Sequence, residues 1–91
     1  MKNIIIFGPN DLGRLLKFYI DTTDKRNIVA FTVDREYMES ESFLGLPVIP
    51  FDEIETYFSP DEYEILLAIG NKRMNEIRKN KFFECKQKGY T

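Results

Sequence analysis

The chain has 91 residues, of which 43% are hydrophobic and 31% charged, with a formal net charge of −2, one cysteine and no histidine. This length allows one small domain and excludes a complete two-halved dinucleotide-binding fold, and the slight acidic excess argues against a nucleic-acid-binding protein. The lack of histidine excludes Ser-His-Asp and Cys-His catalytic sites within residues 1–91, and a single cysteine excludes an internal disulfide or a multi-cysteine metal site.

The first strand and the first helix are predicted at the amino terminus. The run NIIIFG is β-branched and aromatic and stops at Gly8, which is typical of a strand buried on both faces. A helix over residues 11–21 is predicted from apolar residues at helical spacing, namely Leu12, Leu15, Leu16, Tyr19 and Ile20. Either Asn10 or Asp11 can cap its first turn.

The middle of the chain predicts a second buried strand, a loop and a short strand. NIVAFTVD is the second buried strand and ends at Asp34. Residues 35–42 are polar and acidic and predict a loop, and LGLPVIP carries a short strand between Gly45 and Pro50.

A short helix and a third strand follow. In FDEIETYF, Asp52 and Glu55 have capping-box spacing, and Ile54, Tyr57 and Phe58 are predicted to turn inward. YEILLAIGN is the third long buried strand, which Gly70 closes.

The last helix is predicted to begin at a cap, Asn71, and to stop at Gly89. Its inner face is predicted from apolar residues on or near one side, namely Met74, Ile77, Phe82 and Cys85. Cys85 is expected to be a buried apolar filler, whereas the lysines and arginines of residues 72–81 are expected on a solvated face.

Strands that alternate with helices predict parallel pairing through right-handed crossovers. We therefore expect a three-layer, Rossmann-like α/β sandwich with a small parallel sheet, formed by residues 1–91 as one domain.

Ligands of open parallel sheets bind beyond the carboxyl ends of the strands. Three features of the sequence are expected to meet there: the loop from Gly8 to Gly13, Asp34, and Gly70 with Asn71. Gly8 permits a sharp turn, and Gly13 lets the first helix lie close to the sheet. Backbone N–H groups at the start of that helix can hold a phosphate.

Asp34 has the spacing of a ribose-binding acid. It lies 34 − 13 = 21 residues after Gly13, and dinucleotide-binding folds place such an acid about 20 residues after the glycine motif. Structural explanations remain open, because Asp34 can cap a turn, Gly70 with Asn71 can form a plain strand-to-helix turn, and two glycines begin many α/β domains that bind no nucleotide.

Asp11 creates a conflict at the same loop. Its carboxylate can cap the helix, but it would also repel a bound diphosphate. We therefore expect either that a diphosphate rests on the backbone around Asn10 and Leu12 while Asp11 points away, or that nucleotide affinity is modest.

The ordered set of segments resembles the N-terminal domain of the bacterial sugar O-acyltransferases, a family that includes sialic acid O-acetyltransferases and N-acetyltransferases of UDP-4-amino-sugars. The resemblance covers essentially the whole chain and is carried by KNIIIFG…GR, VAFTVD, GLPVIPFDEI, AIGN before a basic helix, and the closing KGY. It implies a small Rossmann-like domain that binds a nucleotide-activated sugar, typically a UDP-sugar.

The resemblance also implies a second domain. In the family, a left-handed β-helix of hexapeptide repeats follows, forms trimers, binds acetyl-CoA and carries a histidine general base. The family's nucleotide-sugar contacts fall here on Asn10, Asp11 and Leu12, on Asp34 with its neighbour Arg35, and on Gly70. Family members often have an acid where this chain has Arg35. The guanidinium of Arg35 is a cation suited to bind a phosphate or an acidic sugar.

These considerations lead to the expectation of a nucleotide-sugar-binding domain, not catalytic by itself, of a cytoplasmic sugar O- or N-acetyltransferase in glycan or polysaccharide biosynthesis. We expect no metal, no cofactor in this chain, no nucleic-acid partner and no membrane insertion. Acetyl-CoA and a homotrimer are expected for the full-length protein, and a monomer or weak dimer for the isolated domain. The alternatives are a nucleotide or NAD-type ligand-sensing module and a structural docking domain with a decayed site.

Overall fold

Five strands form one sheet in the computed structural model of the chain, which describes residues 2–23, 26–69 and 75–90. The strands are β1 (Asn3–Phe7), β2 (Ile28–Val33), β3 (Ser42–Phe43), β4 (Leu46–Pro50) and β5 (Tyr63–Leu67). The helices are α1 (Asp11–Thr23), α2 (Ile54–Tyr57) and α3 (Asn75–Gln87), and short 3-10 turns span Arg35–Tyr37 and Phe51–Glu53. Gly70, Asn71 and Met74, for which the sequence predicts roles, lie outside the described residues.

The sheet has the strand order β3-β4-β2-β1-β5. Strand β1 pairs in parallel with β2 and β5, and β2 pairs in parallel with β4. Only β3 runs antiparallel to its neighbour, β4. Because α1 packs on one face and α2 and α3 on the other, the predicted three-layer Rossmann-like α/β sandwich is confirmed.

The prediction of a plain loop over residues 35–42 is wrong at both ends. The segment begins with the 3-10 turn Arg35–Tyr37 and ends at Ser42, where β3 starts. Strand β3 forms because Leu44 and Gly45 have φ angles of 52° and 80°, the pair of positive values that a two-residue hairpin turn requires. A positive φ at leucine is rare, so the sequence did not indicate this turn.

The core has two halves, one on each face of β1. Ile4 and Ile6 join the cluster under α1, whereas Ile5 and Phe7 join the cluster under α2 and α3. All four are at most 6% exposed, which confirms the prediction of a strand buried on both faces.

Helix α1 contacts the sheet through a narrower stripe than the sequence predicts. Ile20 is buried and Leu12 and Leu16 are partly buried, all at spacing i, i+4, i+8. Leu15 and Tyr19 are 62% and 63% exposed, so their predicted burial is wrong. They lie one position before Leu16 and Ile20, about 100° around the helix from the contact line.

Helix α2 is a single turn, and only part of its prediction holds. Ile54 is fully buried and Phe58 is partly buried, but Tyr57 is 60% exposed. The predicted capping box of Asp52 and Glu55 is absent, since a 3-10 turn precedes the helix and no side chain caps it. With one turn of helix facing the sheet, little more than one inward position exists.

Helix α3 packs through only part of the predicted inner face, with Lys81 as an unpredicted member. Cys85 and Lys81 are 7% and 9% exposed, whereas Ile77 and Phe82 are 47% and 51% exposed. The expectation that all lysines of residues 72–81 are solvated is therefore wrong for Lys81. Burial raises the pKa of the Cys85 thiol to about 11, as befits the predicted apolar filler.

Helix α3 ends in a Schellman motif at Gly89, where the sequence predicts that the helix stops. Gly89 has a φ of 99° and its N–H donates to the Lys86 carbonyl at 3.0 Å, while the N–H of Tyr90 donates to the Cys85 carbonyl at 3.0 Å. The turn directs Tyr90 into the core, where it is 1% exposed and its hydroxyl donates to the carbonyl of Phe58.

Replacing Tyr90 with phenylalanine should lower the free energy of unfolding by about 1–3 kcal/mol, because the Phe58 carbonyl loses its donor. Urea denaturation of both proteins measures this difference. Tyr57→Phe is the matched control, because the Tyr57 side chain is 60% exposed and its hydroxyl remains hydrated in either state. Equal midpoints for the wild type and Tyr90→Phe would contradict the contact.

Replacing Gly13 with alanine should destabilise the domain by about 3 kcal/mol or more. A Cβ at Gly13 would lie 2.1 Å from the Gly8 carbonyl oxygen, so the backbone would have to move. At a helix position with free space, Gly→Ala stabilises the protein by about 1 kcal/mol. The sign of the change in stability therefore tells whether Gly13 is in close contact with the backbone of Gly8. Gly45→Ala is the control: nothing lies within 4 Å of its Cβ, and its cost should be only the positive-φ penalty of about 1–2 kcal/mol.

Candidate functional site

A cleft of about 590 Å³ lies beyond the carboxyl ends of β1 and β2. Its floor is formed by the ends of these strands and by the loop that leads from β1 into α1. The walls come from the segment between β2 and β3 and from α3. The described lining residues are Phe7, Gly8, Pro9, Asn10, Val33, Asp34, Tyr37, Glu39, Ser40, Ser42, Phe43, Val48, Ile77 and Lys81.

Gly8 shapes the floor because the backbone there is closely surrounded. Its φ is 120°, and a Cβ would lie 2.8 Å from Asn10 Nδ2 and 3.1 Å from the Ala68 side chain. The Gly8 N–H donates to the Thr32 carbonyl at 2.9 Å, and its carbonyl accepts from the Asn10 N–H at 3.0 Å. Only glycine satisfies this combination of backbone angle and space.

Asn10, and not Asp11, caps α1. Its Oδ1 accepts from the Gly13 N–H at 2.9 Å, and its Nδ2 donates to the Ala68 carbonyl at 3.3 Å. One side chain therefore fixes the start of α1 and ties it to the end of β5. Asp11 is exposed at the first position of the helix. The N–H groups of Asp11 and Leu12 have no protein acceptor among the described contacts.

Asp34 pairs with a buried lysine from α3. Lys81 Nζ lies 2.6 Å from Asp34 Oδ1 and 3.1 Å from Glu84 Oε2. Burial by itself lowers the pKa of Lys81, but the hydrogen bonds to Asp34 and Glu84 outweigh it, so the net shift is upward and the ammonium is retained at neutral pH. Asp34 precedes a 3-10 turn, yet its side chain makes no cap hydrogen bond, so the turn-capping alternative does not describe it.

Lys81 is the residue at the cleft that sequence reasoning missed. Its ammonium also lies 5.3 Å from the Phe7 ring centroid and 4.8 Å from that of Phe51, within the range of cation–π attraction. A signal was present in the chain, because Lys81 lies four residues before Cys85 and therefore on the same side of α3 as this predicted buried residue.

Arg35 lies beside the cleft and not in it. It lines a second depression of about 600 Å³ that shares Asp34 and Lys81 with the cleft. Its Nη2 lies 2.6 Å from Glu53 Oε2 and its Nε lies 3.4 Å from Asp52 Oδ2. Hydrogen bonds to Glu53 and then Asp52 raise the pKa of Arg35, so its charge is already engaged by carboxylates.

The structure distributes the predicted site residues among several environments. Gly8, Asn10 and Asp34 line the cleft. Leu12 packs into the core under α1, Gly13 abuts Gly8, and Asp11 is exposed. Arg35 occupies the neighbouring depression, and Gly70 and Asn71 fall outside the described residues.

The described parts of the chain contain neither a candidate metal site nor a candidate membrane span. No group of three or more histidine, cysteine, aspartate or glutamate side chains that could hold a metal ion occurs there. None of the helices in those parts has the length and hydrophobicity needed to cross a membrane.

Comparison with solved structures identifies matches that cover almost the whole chain. The acetyltransferase domain of PglB from Neisseria gonorrhoeae FA1090 matches with a TM-score of 0.76 and 25% identity over 99% of this chain and 42% of that chain. The same domain in complex with acetyl coenzyme A matches in fold, with a TM-score of 0.71 and 19% identity over 98% and 40% of the two chains. This chain thus spans about two fifths of the length of those it matches.

Sequence comparison identifies the family. No curated protein sequence matches the chain. The family model described as PglD N-terminal domain matches residues 3–84, which is most of the chain. The predicted resemblance to the N-terminal domain of sugar acyltransferases is therefore confirmed, and the chain belongs to the PglD N-terminal domain family.

Proposed function

We propose that residues 1–91 form the nucleotide-sugar-binding domain of a sugar O- or N-acetyltransferase of glycan biosynthesis, with a UDP-sugar as the ligand. The observation that carries this proposal is the cleft, in which Asp34 and Asn10, the cap of α1, lie at the carboxyl ends of adjacent parallel strands. In this proposal the domain binds the sugar that is to be acetylated and is not catalytic by itself.

The position and size of the cleft support a nucleotide ligand. Helix α1 follows β1 on one face of the sheet, whereas α3 follows β5 on the other, so the connections diverge beside β1, whose carboxyl end forms part of the floor of the cleft. Ligands of open α/β sheets bind at such a point. A volume of about 590 Å³ falls within the range of ordinary ligand pockets, about 300–1,000 Å³.

The ribose and the phosphate of a nucleotide each have a suitable partner. The Asp34 carboxylate is an acceptor for a ribose hydroxyl at the end of β2. The N–H groups of Asp11 and Leu12, at the positive end of α1, are available donors for a phosphate. The Asn10 N–H is not available, since it already donates to Gly8. Phosphate recognition in this proposal therefore rests on the backbone of Asp11 and Leu12.

The rest of the proposed reaction lies outside this chain. The matched structures are of an acetyltransferase domain, one of them in complex with acetyl coenzyme A. We place the acetyl-CoA-dependent step in a left-handed β-helix domain of a longer, trimeric, cytoplasmic protein. A histidine there would take a proton from the sugar amine or hydroxyl as that atom attacks the thioester carbonyl and the thiolate of coenzyme A leaves.

Calorimetric titration with UDP, UDP-N-acetylglucosamine, GDP-mannose and NAD tests the proposal. We expect the uridine nucleotides to bind more tightly than the others, and a ligand at 100 times its dissociation constant to stabilise the domain by about 2.7 kcal/mol. Tightest binding of NAD would favour a ligand-sensing module, and no binding at all would favour a docking domain.

Asp34→Asn should lower the affinity for UDP about tenfold, because a charged acceptor is replaced by a neutral one. Asp61→Asn is the matched control, since Asp61 is exposed and precedes β5 at the opposite end of the sheet. Affinity for UDP that is equal in both variants would separate Asp34 from ligand binding and assign it to structure alone.

Asp11→Asn should raise the affinity for UDP about two- to fivefold, because it removes a carboxylate next to the proposed phosphate donors. Stability should change by less than about 1 kcal/mol, since Asn10 supplies the cap and Asp11 contributes only through the helix dipole. Titration and thermal melting of this variant beside Asp61→Asn give both quantities. An affinity within twofold of the wild type's, in either direction, would show that Asp11 does not repel the ligand.

A further inference from the structure

We propose that Lys81 is a positioning residue that holds the Asp34 carboxylate in one orientation and so determines a preference for ribose over deoxyribose. This inference rests on the proposed function. Lys81 lies on α3, which is not part of the glycine loop and does not carry the proposed ribose-binding acid. The inference gives each of the two oxygens of Asp34 a separate role.

The two oxygens of Asp34 have different surroundings. Oδ1 accepts from Lys81 Nζ at 2.6 Å. Oδ2 has no hydrogen-bond partner among the described contacts, and the Asp34 side chain is 28% exposed where it lines the cleft. A carboxylate with one oxygen bound by the protein and the other accessible is a preorganised acceptor, because it loses little rotational freedom when a hydroxyl donates to it.

The ammonium that holds Asp34 is itself fixed. The Lys81 side chain is 11% exposed, and its Nζ lies between the carboxylates of Asp34 and Glu84. The rings of Phe7 and Phe51 surround it further and pack edge to face on each other, with centroids 5.2 Å apart and planes at 88°. Because these contacts hold the Lys81 ammonium in place, the ammonium in turn holds the Asp34 carboxylate in place.

Stability alone is a poor explanation for this arrangement. The free-energy cost of desolvating a buried ammonium cancels much of the stabilisation from its ion pairs, and an apolar residue of similar volume is often as stabilising. What the buried charge adds is a defined direction for the carboxylate. The readout must therefore be selectivity between ligands, which a purely structural role would not change.

The test compares the affinities for UDP and for 2′-deoxy-UDP, measured by calorimetry at a temperature at which every variant is folded. We expect the wild type to prefer UDP about tenfold, the effect of one hydrogen bond to a charged acceptor. Lys81→Met should reduce this preference to twofold or less. The double variant Asp34→Asn/Lys81→Met should show no further loss, because both residues act through the same hydroxyl contact.

Lys88→Met is the matched control. Lys88 follows α3, lies over the same Phe51 ring at 5.1 Å and pairs with Glu55, so the substitution removes an equivalent charge from the same region. Lys88 lines the second depression and is not among the residues of the cleft, so its variant should retain the tenfold preference. If Lys81→Met does not fold, Lys81→Met/Glu84→Gln replaces it, because that pair leaves no unpaired Glu84 charge.

The outcomes separate this inference from the proposal on which it rests. A Lys81→Met protein that keeps the tenfold preference overturns the inference and leaves nucleotide binding intact. A wild type that binds UDP and 2′-deoxy-UDP equally also overturns it. A wild type that binds no UDP overturns the proposed function, and the inference fails with it.

Discussion

The cleft depends on the contact between the backbones of Gly8 and Gly13. A Cβ on Gly13 would lie 2.1 Å from the Gly8 carbonyl oxygen, so α1 can begin this close to β1 only because that atom is missing. The same carbonyl accepts from the Asn10 N–H, which places the Asn10 side chain where it caps α1 and reaches Ala68. The start of the helix, the end of β1 and the end of β5 are thereby fixed relative to one another.

Features that depend on local pattern could be predicted, and those that depend on distant contacts could not. The alternation of strands and helices indicated the fold, and the buried run of β1 with the two glycines of its loop indicated the floor of the cleft, because strand burial and glycine turns follow from short stretches of sequence. The β3 hairpin depends on a positive φ at Leu44, and the partner of Asp34 lies 47 residues away. Helical periodicity on α3 also predicted burial of Phe82, which is exposed, because residue type does not distinguish an aromatic residue beside the buried face from one on it.

The charges around the cleft restrict how a nucleotide can be recognised there. Arg35 is engaged by Asp52 and Glu53, and Lys81 by Asp34 and Glu84. Within the described residues, the side-chain cations that line the cleft and the depression beside it are Arg35, Lys81 and Lys88, and Lys88 is also paired, with Glu55. Because each of these three has a carboxylate partner, the proposed phosphate site relies on backbone N–H groups and the α1 dipole, which supply direction but less attraction than a free cation.

Modest attraction suits the proposed role. A domain that presents a sugar for acetylation must release it afterwards, and uniform tight binding of substrate and product would not speed the transfer step. In the proposed site, Asp11 beside the phosphate donors would weaken binding of every nucleotide alike, whereas Asp34, held by Lys81, would favour those that carry a ribose hydroxyl. The two carboxylates would then have different effects. Asp11 would shorten the lifetime of the complex, and Asp34 would determine which nucleotides bind. Such a division would separate selectivity from affinity.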